Sequence, residues 1–125
     1  MEIRILVVDD EESITESLKR DLEESDNNFT VTCENYGYDA LNHIKRGTVD
    51  LLLTDIGMPD MNGHELYEMT KSLNKDLPVI MMTGFGYDPN HAVVEARKSG
   101  LKDIIFKPFD LDKLINLILA RVKKD

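Results

Sequence analysis

The sequence predicts an α/β fold in which helices cover both faces of a doubly wound, five-stranded parallel sheet. Three observations support this prediction: short apolar runs, helical periodicity between them, and one run in which apolar and polar residues alternate. The chain has 125 residues, an ordinary size for one domain. We therefore expect a single domain over residues 1–125.

Four short apolar runs are typical of strands that are buried on both faces, as in a parallel sheet. They cover residues 3–8, 51–54, 79–82 and 104–106. Residues 29–33 alternate instead, with Phe29, Val31 and Cys33 on one face, which is typical of an edge strand with its other face in water. Cys33 is the only cysteine, and we interpret it as a small buried apolar residue without a redox or metal role.

The segments between the strands carry apolar residues at helical spacing. These are Ile14, Leu18 and Leu22; Ala40, Leu41 and Ile44; Leu66, Met69 and Leu73; Ala92, Val93 and Ala96; and Leu111, Leu114, Ile115, Ile118 and Val122. Asp110 is placed to cap the last helix. Parallel strands need right-handed helical crossovers, and an alternating second strand belongs at an edge. The predicted strand order is 2-1-3-4-5, the flavodoxin-like order, with a ligand crevice between the first and third strands.

Composition excludes several classes of function. Acidic residues outnumber basic ones 24 to 15, which gives a formal charge of -9 and disfavours nucleic acid as a partner. No apolar run approaches the roughly 18 residues that a membrane span requires. The amino terminus lacks the order of basic, apolar and small residues of a signal peptide. We predict a cytoplasmic protein that contacts neither nucleic acid nor membrane.

Polar residues follow four of the predicted strands: Asp9 and Asp10, Asp55, Thr83, and Lys107. The carboxyl ends of parallel strands share one edge of a sheet, so we expect these side chains to converge there. Three carboxylates repel one another, and a hard divalent cation such as Mg²⁺ would offset that repulsion. A carboxylate nucleophile, a cation, a lysine and a hydroxyl are also what phosphoryl transfer requires. Asp55 is the predicted phosphoryl acceptor.

The motifs around these residues resemble those of one family, the response-regulator receiver domains of bacterial two-component signalling, over essentially the whole chain. They are Val7-Val8-Asp9-Asp10-Glu11, Asp55-Ile56-Gly57-Met58-Pro59 with Gly63, Thr83-Gly84, and Lys107-Pro108-Phe109. The resemblance implies a Mg²⁺ site in which Asp10 binds directly, Asp9 binds through water, Asp55 is a further ligand, and Gly57 binds through its backbone carbonyl.

The resemblance also implies that Asp55 becomes an acyl phosphate. Thr83 would move inward and donate its hydroxyl to a phosphoryl oxygen, Lys107 would pair with another, and the peptide bond before Pro108 would be cis. Such a domain catalyses only its own phosphorylation and dephosphorylation. Its donor would be a histidine kinase or a phosphotransfer protein, and its reader an effector or a second receiver.

The reading surface, by the same resemblance, comprises the predicted helix over residues 92–96, the strand over residues 104–106 and the last helix, with Lys102, Asp103 and Ile104 as contacts. We expect no output domain in this chain. The sequence leaves open the cognate kinase, the pathway, the output, the oligomeric state, the phosphoryl lifetime and whether the domain belongs to a longer regulator.

Two positions depart from the family pattern. Receivers commonly carry an aromatic residue three positions before the lysine, where this chain has Ile104. We therefore expect the response to depend more on the segment after Thr83, with Phe85 taking part of the aromatic role. Gly57 and Phe85, two residues beyond Asp55 and Thr83, cannot orient an attacking water by hydrogen bonding, which predicts slow self-dephosphorylation.

Three alternative functions fit the sequence less well. An aspartyl-phosphate hydrolase would carry a second Asp two residues after its nucleophile, where this chain has Gly57. A flavin-binding electron carrier would have a first loop rich in Ser, Thr and Gly, whereas here it is acidic, from Asp9 to Glu12. A degenerate receiver that serves only as a docking module would lack part of the set that this chain retains. His43, His64 and His91 show no metal-binding spacing, and we assign them no function.

Overall fold

A computed structural model describes residues 2–58, 60–83, 98 and 100–122 of the chain. Its sheet contains the strands Ile3–Val8 (β1), Phe29–Glu34 (β2), Leu51–Asp55 (β3), Val79–Thr83 (β4) and Asp103–Phe106 (β5). Every neighbouring pair is parallel, and the order is β2-β1-β3-β4-β5. The predicted fold class and strand order are confirmed.

The described helices are Glu12–Glu23 (α1), Gly37–Lys45 (α2), Gly63–Leu73 (α3) and Leu111–Val122 (α4). The helix predicted over residues 92–96 lies outside the described residues. Asp110 caps α4 as predicted, because its carboxylate accepts the backbone N–H of Asp112 at 2.8 Å. None of the helices within the described ranges is long and apolar enough to cross a membrane.

Two apolar clusters cover the two faces of the sheet. Alternate residues of β1 divide between them: Ile5 and Val7 pack with α1 and α4, whereas Leu6 and Val8 pack with α2 and α3. Both clusters consist of side chains that are almost entirely removed from water, and burial of apolar surface is the dominant favourable term in folding. The two-sided core makes β1, β3 and β4 rigid supports for the residues that follow them.

The strands are in register at their carboxyl ends. Val8 lies beside Thr54, Asp55 beside Met82, and Thr83 beside Phe106. The residues at or just beyond these positions therefore share one edge of the sheet.

The prediction that residues 104–106 are buried on both faces is wrong. Asp103, Ile104 and Ile105 are only half-buried, and Phe106 is 61% exposed. Among the described strands, β5 forms an edge of the sheet and has a neighbouring strand on one side only, which leaves its side chains less covered than those of a central strand. An apolar run of this length is compatible with either position.

The predicted buried stripe of α3 is also partly wrong, because Met69 and Leu73 are 43% and 45% exposed. The buried side of the helix carries Leu66, as predicted, together with Tyr67 and Thr70. Because Thr70 is buried, the buried face of α3 differs from the face that its apolar residues mark.

Cys33 likewise differs from its prediction: it is half-buried, and its thiol donates to the Thr15 carbonyl oxygen at 3.3 Å.

Candidate functional site

Three carboxylates meet at the carboxyl edge of β1 and β3. One oxygen each from Asp9, Asp10 and Asp55 lies within 4.8 Å of the other two. Asp9 is fully buried and Asp55 nearly so, while Asp10 is exposed. Hard oxygen donors of this kind are the ligands that Mg²⁺ and Ca²⁺ take, with water completing the shell on the open side. The residues present therefore fit a divalent metal ion.

Lys107 brings the only ammonium group seen within hydrogen-bond distance of this cluster among the described residues. Its backbone N–H donates to the Thr83 carbonyl oxygen at 2.8 Å, which extends the β4–β5 pairing by one residue. Its Nζ lies 2.7 Å from Oδ2 of Asp9 and 3.2 Å from Oδ1 of Asp55. The Lys107-Pro108 peptide bond is cis, as the family resemblance implied.

Burial and charge act against each other at this cluster. Burial raises the pKa of the Asp55 carboxyl; the Lys107 ammonium opposes that rise, and the negative charge of Asp9 adds to it. Burial alone would lower the pKa of Lys107, but its hydrogen bonds to the two carboxylates and their charges outweigh burial and raise it. A single ammonium thus leaves the negative charge of the cluster only partly compensated.

The backbone around Asp9 is held on both sides. Its N–H donates to the Glu34 carbonyl oxygen at 3.2 Å, and its own carbonyl oxygen accepts the Asn35 side-chain amide at 2.7 Å. Its Oδ1 accepts the Glu11 N–H at 2.9 Å, which leaves Oδ2 for Lys107. The sequence analysis missed Asn35; a polar residue directly after an edge strand was the signal, and it is a weak one.

Thr83 ends β4 and is 1% exposed. Its hydroxyl has no hydrogen-bond partner within the described part of the chain. Buried polar groups nearly always have one, and an exception at a sheet edge calls for a functional explanation. A ligand oxygen at this edge would supply the missing partner.

Gly57 follows Asp55 through a tight turn, and its backbone N–H donates to Oδ2 of Asp55 at 3.3 Å. The turn is closed at its base, since the Gly63 N–H donates to the Ile56 carbonyl oxygen at 2.6 Å. A side chain at position 63 would not fit, because a Cβ there would lie 2.8 Å from the Ile56 Cα. Gly63 thereby allows α3 to start directly against the Ile56 backbone. We call the described residues that precede the helix, 56–58 and 60–62, the acceptor loop.

The sequence analysis also missed Asp60 in the acceptor loop. Its carboxylate accepts the backbone N–H groups of Gly37 and Tyr38, both at 3.0 Å. These are the first residues of α2, whose own N-cap residue Tyr36 contributes no side-chain hydrogen bond. No local sequence pattern pairs an acid with a helix start some twenty positions earlier, so only the fold shows this contact.

A sequence model described as the response regulator receiver domain matches residues 5–119. The chain belongs to this family. Its relatives include the response regulator MprA of Mycobacterium leprae (strain TN), which is 36% identical over 126 residues that cover 98% of this chain and 54% of that protein. The same regulator from Mycobacterium ulcerans (strain Agy99) is 35% identical over 99% of this chain and 52% of that protein. The chain spans about half the length of these curated relatives.

Solved receiver domains share the fold. A response regulator receiver domain protein from Clostridium thermocellum superposes with a TM-score of 0.86 at 27% identity, covering 97% of this chain and 94% of that one. A CheY-like receiver domain protein from Methanospirillum hungatei JF-1 gives a TM-score of 0.85 at 29% identity and covers all of both chains. Membership of this receiver family argues against the flavin-carrier alternative, whose topology is similar.

Other residues singled out in the sequence lie elsewhere in this receiver domain. Ile104 is half-buried and packs against the cluster beneath α2 and α3. Asp103 is engaged by Arg121 of α4 at 2.7 and 2.8 Å, while Lys102 is exposed. Gly84, Phe85 and His91 lie outside the described residues, so the expectations placed on Phe85 stay predictions.

The two described histidines have local partners. His43 Nε2 lies 2.6 Å from Oε2 of Glu34, and His64 Nε2 lies 3.6 Å from Oε1 of Glu68. The group of carboxylates found at the site includes neither of them.

Proposed function

We propose that this receiver domain accepts a phosphoryl group on Asp55 in a Mg²⁺-dependent reaction. A histidine kinase or phosphotransfer protein is the donor, and the modified domain changes the surface that it offers to an effector or a second receiver. One observation carries the proposal: the Asp55 carboxylate lies within one cluster of three carboxylates and 3.2 Å from the Lys107 ammonium. We treat residues 1–125 as one functional unit.

Asp9, Asp10 and Asp55 would hold the metal ion, with the backbone carbonyl of Gly57 as a further ligand. A bound Mg²⁺ would offset the repulsion among the carboxylates and neutralise negative charge on the transferred phosphoryl group. The half-open position of the cluster supports this assignment, because Asp10 is exposed while Asp9 is fully buried. Water can therefore reach one side of the cluster and complete the shell.

In the transfer itself, a carboxylate oxygen of Asp55 attacks the phosphorus of a phosphohistidine. The new P–O bond forms as the P–N bond breaks, and the leaving imidazole keeps the electron pair and takes up a proton. The Lys107 ammonium is already 3.2 Å from the nucleophile, within reach of a phosphoryl oxygen. The buried Thr83 hydroxyl would donate to another and gain the partner that it lacks among the described residues.

The chain acts on itself and is not an enzyme for external phosphate esters. Gly57 has no side chain, and it occupies the position at which an aspartyl-phosphate hydrolase would carry its acid/base residue. No other described carboxylate joins Asp9, Asp10 and Asp55 in their cluster to take that part. This supports a switch over a turnover enzyme.

The test is incorporation of a phosphoryl group from acetyl phosphate with Mg²⁺, followed by intact mass and by acid lability of the adduct. The native chain should gain one group. Asp55→Asn should gain none, while the matched control Asp112→Asn, which removes an exposed aspartate from α4, should behave as the native chain does. A folded native chain that binds Mg²⁺ but gains nothing would contradict the proposal and favour a docking module.

A further inference from the structure

We propose that the connection between β2 and α2 is a clamp. It positions the two segments that would hold the metal ion, the one with Asp9 and the acceptor loop, relative to each other. Asn35 attaches this connection to Asp9, and Asp60 attaches the acceptor loop to the start of α2. The clamp rests on the proposed Mg²⁺ site and adds positioning residues that touch neither the metal position nor the reacting atoms.

One half of the clamp holds the segment with Asp9. The Asn35 side-chain amide donates to the Asp9 carbonyl oxygen at 2.7 Å, next to the bond from the Asp9 N–H to Glu34. These two bonds fix the peptide groups on either side of the Asp9 Cα. The direction of the Asp9 side chain, and therefore the place of its carboxylate in the cluster, follows from that backbone.

The other half holds the acceptor loop. Both oxygens of Asp60 are used, Oδ1 by the Gly37 N–H and Oδ2 by the Tyr38 N–H. Burial acts to raise the pKa of Asp60, but the N–H groups that it accepts prevail and lower it. These hydrogen bonds therefore favour the ionised form of Asp60. Its negative charge also interacts favourably with the positive end of the helix dipole.

A packing contact next to this ion–dipole contact strengthens the attachment. A Cβ at position 37 would lie 2.5 Å from Cγ of Met61, so the Met61 side chain lies directly on the Gly37 backbone. Met61 is 5% exposed. Two consecutive residues of the acceptor loop, Asp60 and Met61, thus meet the first turn of α2.

Backbone hydrogen bonds hold the base of the acceptor loop. The Ile56 N–H donates to the Met82 carbonyl oxygen at 2.8 Å, and the Ile56 carbonyl accepts the Gly63 N–H. Beyond this closed base lie the outer residues of the loop, which include Gly57 and Asp60. Asp60 restrains these outer residues, and it therefore controls how well the Gly57 carbonyl is placed for a metal ion.

The test compares two losses of a helix cap. Asp60→Ala removes the cap of α2, and Asp110→Ala removes the carboxylate that accepts the Asp112 N–H at the start of α4. Both variants should melt at lower temperature than the native chain. Calorimetric titration with Mg²⁺ should show binding weakened by up to about tenfold for Asp60→Ala, the lower end of what loss of an outer-shell partner costs. Asp110→Ala should bind Mg²⁺ as the native chain does.

Two further variants separate positioning from general destabilisation. Asp60→Asn keeps one acceptor oxygen and should recover part of the Mg²⁺ affinity. Asn35→Ala should weaken Mg²⁺ binding, and the double variant with Asp60→Ala should lose less than the two separate effects combined, because both act through one connection. Equal Mg²⁺ affinity in Asp60→Ala, Asp110→Ala and the native chain would overturn the clamp alone. A native chain that binds no Mg²⁺ would overturn the metal site, and the clamp with it.

Discussion

The two ends of β3 carry the same residue type in opposite electrostatic situations. Asp50 precedes the strand and accepts three hydrogen bonds from Arg4: its backbone N–H at 2.8 Å, Nε at 3.1 Å and Nη2 at 3.0 Å. The Arg4 side chain lowers the pKa of Asp50, although burial acts in the other direction. Asp55 ends the strand and shares Lys107 with Asp9, and its pKa is raised.

The difference lies in the ratio of charges. At the amino end two half-buried carboxylates each have a guanidinium partner, since Asp103 at the start of β5 is paired with Arg121 as Asp50 is with Arg4. At the carboxyl end, within the described part of the chain, the Lys107 ammonium alone contacts the cluster of three carboxylates, through Asp9 and Asp55. Within the described residues, charges are therefore paired one to one at the amino end, whereas negative charge is in excess at the carboxyl end.

Of the substitutions at the two ends of the sheet, removal of Lys107 should cause the largest loss of stability. Lys107→Ala leaves Asp9 fully buried without a counter-charge, and we expect a loss of about 3 kcal/mol in the free energy of unfolding at neutral pH. Urea denaturation measures it, with Lys102→Ala, an exposed lysine just before β5, as the control. Mg²⁺ should restore much of the loss, because it would replace the missing positive charge. A loss no greater than that of the control would show that the cluster does not depend on Lys107.

A smaller effect of the same sign is expected at the amino end. Asp50→Asn removes a carboxylate whose folded-state pKa is lowered, so its contribution is fully present above the unfolded pKa of about 3.9 and is lost as the pH falls through the lower folded-state pKa. At pH 7 the substitution should lower Tm by about 3 °C, a modest amount because the Arg4–Asp50 pair is partly exposed to solvent.

The loss at Asp50→Asn should fade as the pH falls from the unfolded aspartate pKa of about 3.9 through the lower folded-state pKa, and Mg²⁺ should not change it. Thermal melts across this pH range provide the measurement, and Asp76→Asn, an exposed loop aspartate, is the control. A native-like Tm for Asp50→Asn at neutral pH would show that the Arg4–Asp50 pair does not stabilise the fold.

The carboxyl-end site was predictable because its chemistry lies at strand ends. Asp9, Asp55, Thr83 and Lys107 each follow or end an apolar run, and a parallel sheet places all such positions at one edge. The strand order could be derived for a related reason, since only residues 29–33 alternate in the way an edge strand does. These inferences depend on periodicity and chain order, which are local or topological properties.

The sequence could not predict the hydrogen bonds made by loop residues or which apolar side chains neighbouring elements would cover. Asp60 caps a helix that begins more than twenty residues earlier in the chain, and Asn35 reaches a backbone carbonyl on another strand's end. Both contacts depend on loop conformations for which no periodicity exists. The burial errors at Phe106 and Met69 have a similar origin, because apolar character marks a residue as suited to the core without showing which face the neighbouring elements cover.

Asp55→Asn should produce the smallest change and the only increase in stability. A raised folded-state pKa means that the fold favours the neutral form, so ionised Asp55 opposes folding at pH values above its folded-state pKa. The amide is neutral, and it leaves Lys107 paired with Asp9 alone, which reproduces the one-to-one arrangement of the amino end.

We expect the Tm of Asp55→Asn to rise by about 2 °C at pH 7 without metal. The gain should vanish below the ordinary aspartate pKa of about 3.9, where the native carboxyl is also neutral. It should also shrink in Mg²⁺, because the metal ion stabilises the native chain more than the variant. A lower Tm for the variant at pH 7 without metal would show that the Lys107–Asp55 contact outweighs burial, and that the carboxyl end is balanced without a metal ion after all.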